Sequence, residues 1–279
     1  MAIHDQSNAI TPSKQRKLAY NSRMENINES AVPQYVVACD VGGTKMRAAL
    51  VTPSGVLEKR VECATEADRG FDDATRRLVG LIHDVLSELP EDSVAGIGIS
   101  SAGPIEPASG TYDHPPNLPG WHGQSMVPHI RNVTGLPVAV IHDAHAAALG
   151  EARFGAARNC DDVVYVTVST GIGGGMISDG QTIDGKNGLA GEVGHMIIDP
   201  AGPDCNAGCR GCLEVLASGN GIAAEAGRRL AAGATSSISD LANGDVTSIT
   251  GKHVYRAAQE GDKVAGEIVD SAIEALATG

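Results

Sequence analysis

Basic charge is in short supply in this sequence: 21 lysines and arginines stand against 34 aspartates and glutamates, a formal net charge of -13. A protein that works on nucleic acid needs a basic face toward the phosphates, so the balance argues against that class of partner. Long apolar runs are missing as well. No stretch approaches the roughly eighteen residues of a membrane-spanning helix, and the N-terminus shows neither a basic segment followed by an apolar one nor a cleavage pattern. The expected setting is cytoplasmic, without a membrane partner. Cysteine is rare, six in 279 residues, and in a reducing compartment clustered thiols hold a metal more often than they form disulfides. What the chain does have is size and apolar content. With 42% hydrophobic residues it can bury a large core, and its length divides most naturally into two domains.

Three of the cysteines fall in one stretch, GEVGHMIIDPAGPDCNAGCRGCLE, from Gly191 to Glu214. Cys205, Cys209 and Cys212, with His195 upstream, supply the four donors that a closed tetrahedral zinc site needs. Cys209-Arg210-Gly211-Cys212 is a CxxC knuckle, whereas the gap from Cys205 to Cys209 is looser; a disulfide or free thiols are the alternative reading. Glu192 and Glu214 flank this loop. An ionised carboxylate offers several acceptor lone pairs, so the two suit a polar ligand such as a sugar, or else they are solvated surface charge.

Residues 1 to 34 are polar and lack a sustained apolar period, so they read as a mobile tail, with SKQRKLAY as a short helix or weak contact patch. YVVACD then predicts a buried strand ending at Asp40 and breaking into the turn VGGTK, whose amides can face a phosphate. At the strand tip Asp40 is placed to hold magnesium or its hydration water. The spacing of a Walker loop is absent. Residues 71 to 89 carry apolar side chains at helical spacing, VAGIGIS predicts a strand, and SSAGPIEP is a loop of small residues. TYDHPPNLPGW is too rich in proline for regular structure; Asn117 and Trp121 are its expected ligand contacts, the first through its amide and the second through packing. LPVAVI predicts a strand that delivers His142 and Asp143 to the start of a helix. There Asp143 is either a helix cap or a general base for a hydroxyl proton. VVYVTVSTGIGGGM repeats the opening theme, a β-rich run breaking into a glycine-rich turn. A dinucleotide fingerprint would need glycine in place of Met176.

With DVGGTK, SSAGPI, PNLPGW, HDAHAAALGE, STGIGGG, GEVGH and GCRGCLE in this order, the chain resembles the ROK family of bacterial sugar kinases and sugar-responsive repressors, from about residue 35 to the last. The resemblance implies an α/β, actin-like (ribonuclease H-like) fold of two domains that close over ATP and a hexose in the cleft between them. Those domains would span 35 to 141 and 142 to 279. It implies a first phosphate turn at Asp40, Gly42, Gly43 and Thr44 and a second at Thr170, Gly171, Gly173 and Gly174. Asp143 matches the catalytic base, and Gly103, Asn117, Glu192, His195 and Glu214 match sugar contacts. The implied cofactors are ATP, Mg2+ and a structural Zn2+ on His195 and the three thiols. The implied partner is a small hexose, with a homo-oligomer as the expected assembly.

Two features depart from the family pattern. Its zinc loop runs C-x-C-G-x-x-G-C, whereas here Ala207 stands at the second cysteine position and a thiol appears at Cys209. The family also continues beyond the amphipathic helix predicted over 262 to 278. The expectation is a truncated second domain, with one sheet position unpaired and an apolar helix face uncovered. The leading activity is phosphorylation of glucose at its 6-hydroxyl. Kinases for N-acetylmannosamine, mannose, fructose or N-acetylglucosamine come next, then an inactive sugar-binding remnant. A repressor needs a winged helix-turn-helix for which residues 1 to 34 are too short, and a nicotinamide enzyme is the most distant reading.

Overall fold

Residues 34–87, 89, 90 and 93–279 are described in the computed structural model. The polar segment expected over residues 1 to 34 lies outside them as far as residue 33. The chain forms two compact units, the first ending at Asp143 and the second comprising Ala144–Gly279.

In the first unit the elements follow as β1 (Tyr35–Val41), β2 (Lys45–Val51), β3 (Leu57–Ala64), α1 (Phe71–Leu86), β4 (Val94–Ser101), the short pair β5 (Ile105–Glu106) and β6 (Thr111–Tyr112), α2 (Val127–Thr134) and β7 (Val138–His142). Five strands make one sheet in the order β3-β2-β1-β4-β7. The first three are an antiparallel meander, and β4 and β7 join β1 in parallel. Alternation explains the buried face: Val37, Cys39 and Val41 of β1 point into the core together, as side chains two apart on a strand must. Helix α1 buries Ala74, Leu78, Leu81, Ile82 and Val85 against that sheet. It ends at Leu86, three residues before the last apolar position of its sequence pattern, although Leu89 still packs on the core.

Trp121 corrects an expectation. It is fully buried, with Phe71 and Tyr112 set edge-on to it at ring-centroid distances of 5.3 Å each. Such pairs add about 0.5–1.5 kcal/mol beyond the area they bury. The indole therefore holds the proline-rich loop to the core and is not a ligand contact. Tyr112 completes the cluster through a 2.9 Å hydrogen bond between its hydroxyl and that of Ser101.

Helix α3 (Asp143–Phe154) starts on the last residue of the first unit. The second unit continues with β8 (Val163–Val168), β9 (Ile172–Ser178) and β10 (Gln181–Thr182), then α4 (Leu213–Ala217), α5 (Gly219–Ala231), α6 (Ile238–Leu241), α7 (Gly251–Gln259) and α8 (Lys263–Thr278). Its three strands form an antiparallel sheet in the order β10-β9-β8. β8 is an edge strand there, and its Val164, Val166 and Val168 are exposed. The apolar face of α8 is covered, contrary to expectation. Ala265, Ile268, Ala272 and Ala275 are buried in a core shared with Leu213, Ile222 and Val254, and only Ile273 of the expected stripe stands out in solvent.

Asp262 fixes the start of α8. Its carboxylate accepts the Ala265 amide at 2.9 Å, the Ser237 amide at 2.7 Å and the hydroxyls of Ser236 and Ser237 at 2.9 Å. Burial works against its charge, yet these donors hold the carboxyl down at about 2. A depressed folded value means the stabilisation is complete above the unfolded value of about 4 and is lost as pH falls toward the folded one. Asp262→Ala is expected to cost about 1–2 kcal/mol at neutral pH, as removal of a helix cap does. Urea unfolding should show that deficit shrinking as the pH is lowered through about 4 to 2; a deficit independent of pH would contradict the assignment.

Candidate active site

The sequence-expected residues fall into two groups, one in each unit. In the first, β1 delivers Asp40 opposite Arg47 of β2, and the pair closes at 2.6 Å between Oδ2 and Nη1. Arg47 was not anticipated from sequence; the signal was its register position across the hairpin. Gly42 to Thr44 form the tight link between β1 and β2, with the Gly42 amide donating to the Lys45 carbonyl at 3.0 Å. Thr65 braces this turn, its amide donating to the Thr44 carbonyl at 2.8 Å and its hydroxyl to the Gly42 carbonyl at 2.6 Å. A Cβ on Gly43 would lie 2.9 Å from the Asn117 carbonyl oxygen. The turn and the Asn117 loop are thus in backbone contact, which only glycine permits.

Gly103 meets the ring of His142 more closely still, since an added Cβ would strike Cδ2 and stand 3.1 Å from Nε2. That nitrogen is 3.5 Å from Asp143 Oδ1. Asp143 occupies the first turn of α3 and its side chain is 54% exposed. Gly103, His142 and Asp143 therefore come together where β7 gives way to α3.

In the second unit, β8 and β9 are joined by a turn at Ser169–Gly171, closed by the Ser169 amide on the Gly171 carbonyl at 2.9 Å. Glu214, in the first turn of α4, accepts the Ile172 amide at 2.8 Å, and its carboxylate lies where a Gly171 side chain would go. The N-terminus of α5 is tied to the same turn: the Gly219 amide donates to Ser169 at 2.8 Å and the Asn220 amide to Thr170 at 3.1 Å. Ser218 caps that helix by accepting the Gly221 amide at 3.0 Å. These bonds take up the first amides of α5, so the helix end braces the glycine turn and does not present open N–H groups to an anion. The helix half of this arrangement was missed, though serine ahead of Gly-Asn-Gly was a readable cap signal.

Gly173 and Gly174 lie inside strand β9 and not in the turn expected for them. For Gly174 smallness serves close packing, whereas a Cβ on Gly173 would meet only ordinary contacts. A Cβ on Gly174 would sit 2.6 Å from the Gly191 carbonyl oxygen, and one on Gly191 would sit 2.7 Å from that of Gly174. The next glycine, Gly175, is held against the Ala144 backbone at the start of α3 in the same way.

One ligand atom each from His195, Cys205, Cys209 and Cys212 lies within 4.8 Å of the other three. His195 Nδ1 is 3.5 Å from the Cys209 sulfur and 3.9 Å from that of Cys205. Around one tetrahedral zinc, with Zn–N near 2.05 Å and Zn–S near 2.3 Å, a nitrogen and a sulfur stand about 3.6 Å apart. The donor set and its spacing fit that ion. Cys209 stands in the cluster in spite of Ala207, because Gly208 and Gly211 both take left-handed backbone and double the loop back. That fold pairs Asp204 with Arg210, and a side chain on Gly211 would strike the Asp199 carbonyl. Loss of solvent, then the neighbouring sulfurs of Cys212 and Cys205, push the Cys209 thiol up to about 12. Burial also opposes ionisation of Cys212, but the Val215 amide, His195 and the other two thiols hold it below its ordinary value. The other face of the imidazole points elsewhere, with His195 Nε2 4.0 Å from Glu192 Oε2. One ring thus touches both the thiol cluster and a candidate sugar contact.

A meander with a glycine turn, extended by parallel strands, in one unit, and a second glycine turn with a thiol-braced histidine in the other define the class as an actin-like α/β fold of the sugar-kinase type. The chain belongs to the ROK family, whose profile matches residues 36–279. It is 36% identical to a glucokinase of Thermotoga maritima over 242 residues, covering 87% of this chain and 75% of that enzyme. It is 41% identical to an N-acetylmannosamine kinase of Citrobacter koseri over 195 residues, 70% of this chain and 65% of that one. Among solved structures, a ROK family glucokinase from Streptomyces griseus in complex with glucose and AMPPNP superposes with a TM-score of 0.67 at 33% identity. That match covers 84% of this chain and 74% of the glucokinase.

Proposed function

We propose that this chain is an ATP-dependent hexose kinase acting on a 6-hydroxyl, with glucose the preferred substrate. The observation that carries the reading is the contact of Gly43 with the Asn117 loop, which sets a candidate sugar contact against a candidate phosphate turn. The likeness to a glucokinase solved with glucose and AMPPNP supports it. In this reading the amides of Gly42 to Thr44, and those around Thr170 and Gly171, orient the phosphates. Asn117, Gly103, Glu192, His195 and Glu214 orient the sugar, and Asp143 takes the hydroxyl proton. Transfer of a phosphoryl group asks for alignment and charge neutralisation more than for covalent help from the protein. Asp40, half-buried near its strand tip and paired there with Arg47, is the residue that would hold Mg2+, which supplies that neutralisation when bound. His195, Cys205, Cys209 and Cys212 would hold Zn2+ in a structural role.

ADP release by the full chain with magnesium-ATP and a panel of glucose, mannose, fructose, N-acetylglucosamine and N-acetylmannosamine tests this. The expected result is turnover with the highest kcat/KM on glucose. A preference for N-acetylmannosamine would overturn the substrate assignment, and sugar binding without turnover on any of the five would overturn the kinase reading.

A further inference from the structure

A second cluster of metal-ligating side chains lies apart from the thiols, at the neck of the proline-rich loop. Tyr112 and the segment from Gly123 to Gln124 pair across that neck: the Tyr112 amide donates to the Gln124 carbonyl, and the Gly123 amide to the Tyr112 carbonyl, both at 2.9 Å. Immediately inside stand Asp113 and His114 on one side and His122 on the other. One ligand atom from each of the three lies within 4.8 Å of the others, and all three are exposed. Asp113 Oδ1 is 2.8 Å from His114 Nδ1 and 3.4 Å from His122 Nδ1. The two imidazoles are stacked, their centroids 3.5 Å apart and their planes 24° from parallel. His114 holds this pose with φ at +48°, a left-handed conformation uncommon outside glycine.

We infer that Asp113, His114 and His122 form a binding site for a divalent first-row transition ion of the kind imidazole prefers, such as zinc, nickel or copper. Two imidazoles and one carboxylate are a three-ligand set for such ions, with positions left over for water. Donors about 2.1 Å from one ion stand about 3.0 Å apart at right angles and about 3.4 Å apart in a tetrahedron. The longer nitrogen–oxygen separation, 3.4 Å, matches the tetrahedral spacing, and the shorter, 2.8 Å, is a hydrogen bond that opens slightly to admit the ion. An ion takes each imidazole nitrogen in the plane of its own ring, so binding parts the stacked pair, whose exposed side chains can turn to converge on it. Two interactions within the cluster compete, the 2.8 Å hydrogen bond between Asp113 and His114 Nδ1 and the His114 amide, which donates to His122 Nδ1 at 3.3 Å; an ion taking these atoms displaces both exposed bonds.

The consequence is a clasp. The three ligands sit at the two ends of the segment from 113 to 122, whose interior carries exposed Asn117 between buried Pro115 and buried Leu118. An ion at the neck ties the ends together and limits local opening of the segment. Any effect on sugar affinity through Asn117 rests on the hexose-kinase reading; the metal site does not.

The test is calorimetric titration of the untagged full chain, first given one equivalent of zinc, with nickel chloride. Alongside it, amide hydrogen exchange is followed over residues 113–122. Wild type and Cys209→Ser are both expected to take up one saturable equivalent of nickel, with slower exchange across the loop. His114→Ala/His122→Ala should lose at least about a hundredfold in nickel affinity, because even residues that only orient a metal ligand are worth about 10–100-fold. Asp113→Asn should weaken binding less and keep its site. All three side chains are exposed, so the folded state of the variants is checked simply by an unchanged unfolding midpoint. Absence of saturable nickel uptake by wild type would overturn the proposal, as would uptake that persists undiminished in the double histidine variant.

Discussion

Asp143→Asn is expected to lower kcat for hexose phosphorylation by about 10²–10⁴-fold, the range that a positioned general base supplies. Asparagine keeps the shape of the side chain and its place at the end of β7, so the hexose KM should move far less than kcat, the pattern of an interaction made in the transition state. Stability should fall only slightly. An acidic group in the first turn of a helix contributes about 0.3–1 kcal/mol, and Asp143 opens α3 with half of its side chain in solvent. Steady-state kinetics beside a thermal melt separate the two effects. Turnover within about tenfold of wild type would remove Asp143 from the role of base, whereas a large drop in the melting temperature would point to structure.

The second large effect is expected at the thiols. Cys209→Ser should fail to retain zinc on dialysis against a chelator, while wild type keeps about one ion per chain. Structural zinc sites bind with about 10–16 kcal/mol of apparent free energy in small peptides. Even a part of that, lost from the loop joining β10 to α4, should lower the unfolding midpoint by roughly 10 °C, at about 2–4 °C per kcal/mol in domains of moderate size. The hexose KM should rise as well, because the ring that faces Cys209 at 3.5 Å is the one that faces Glu192. Cys160→Ser is the control, an exposed thiol outside the cluster that should change none of these. Equal zinc content in Cys209→Ser and wild type would reject the ligand set.

Much of the first unit was legible because strand period and turn chemistry act locally. YVVACD breaks at VGGTK because two glycines end the apolar alternation, and that is where β1 gives way to β2. The apolar spacing from Phe71 onward likewise becomes α1. The thiol cluster was readable from composition alone, even with Ala207 where the family has cysteine. What sequence could not show depends on partners far along the chain. Trp121 looked like a ligand contact because it stands in a proline-rich loop, and its burial follows from Phe71, fifty residues earlier. The glycines of β9 looked like a longer turn, since glycine has low strand propensity; the reason for them is the backbone of Gly191 and Ala144 lying against the strand. The tie between α5 and Ser169–Thr170 joins positions too distant for any periodicity to reveal.

The reciprocal contact of Gly174 and Gly191 also bears on how this sequence can change over generations. Each leaves no room for a methyl group because of the other's carbonyl, so substitution at either site alone meets the same obstacle and replacing the partner's side chain brings no relief. The two positions are therefore expected to be kept or lost together, since a descendant carrying a larger residue at either must first move a stretch of backbone.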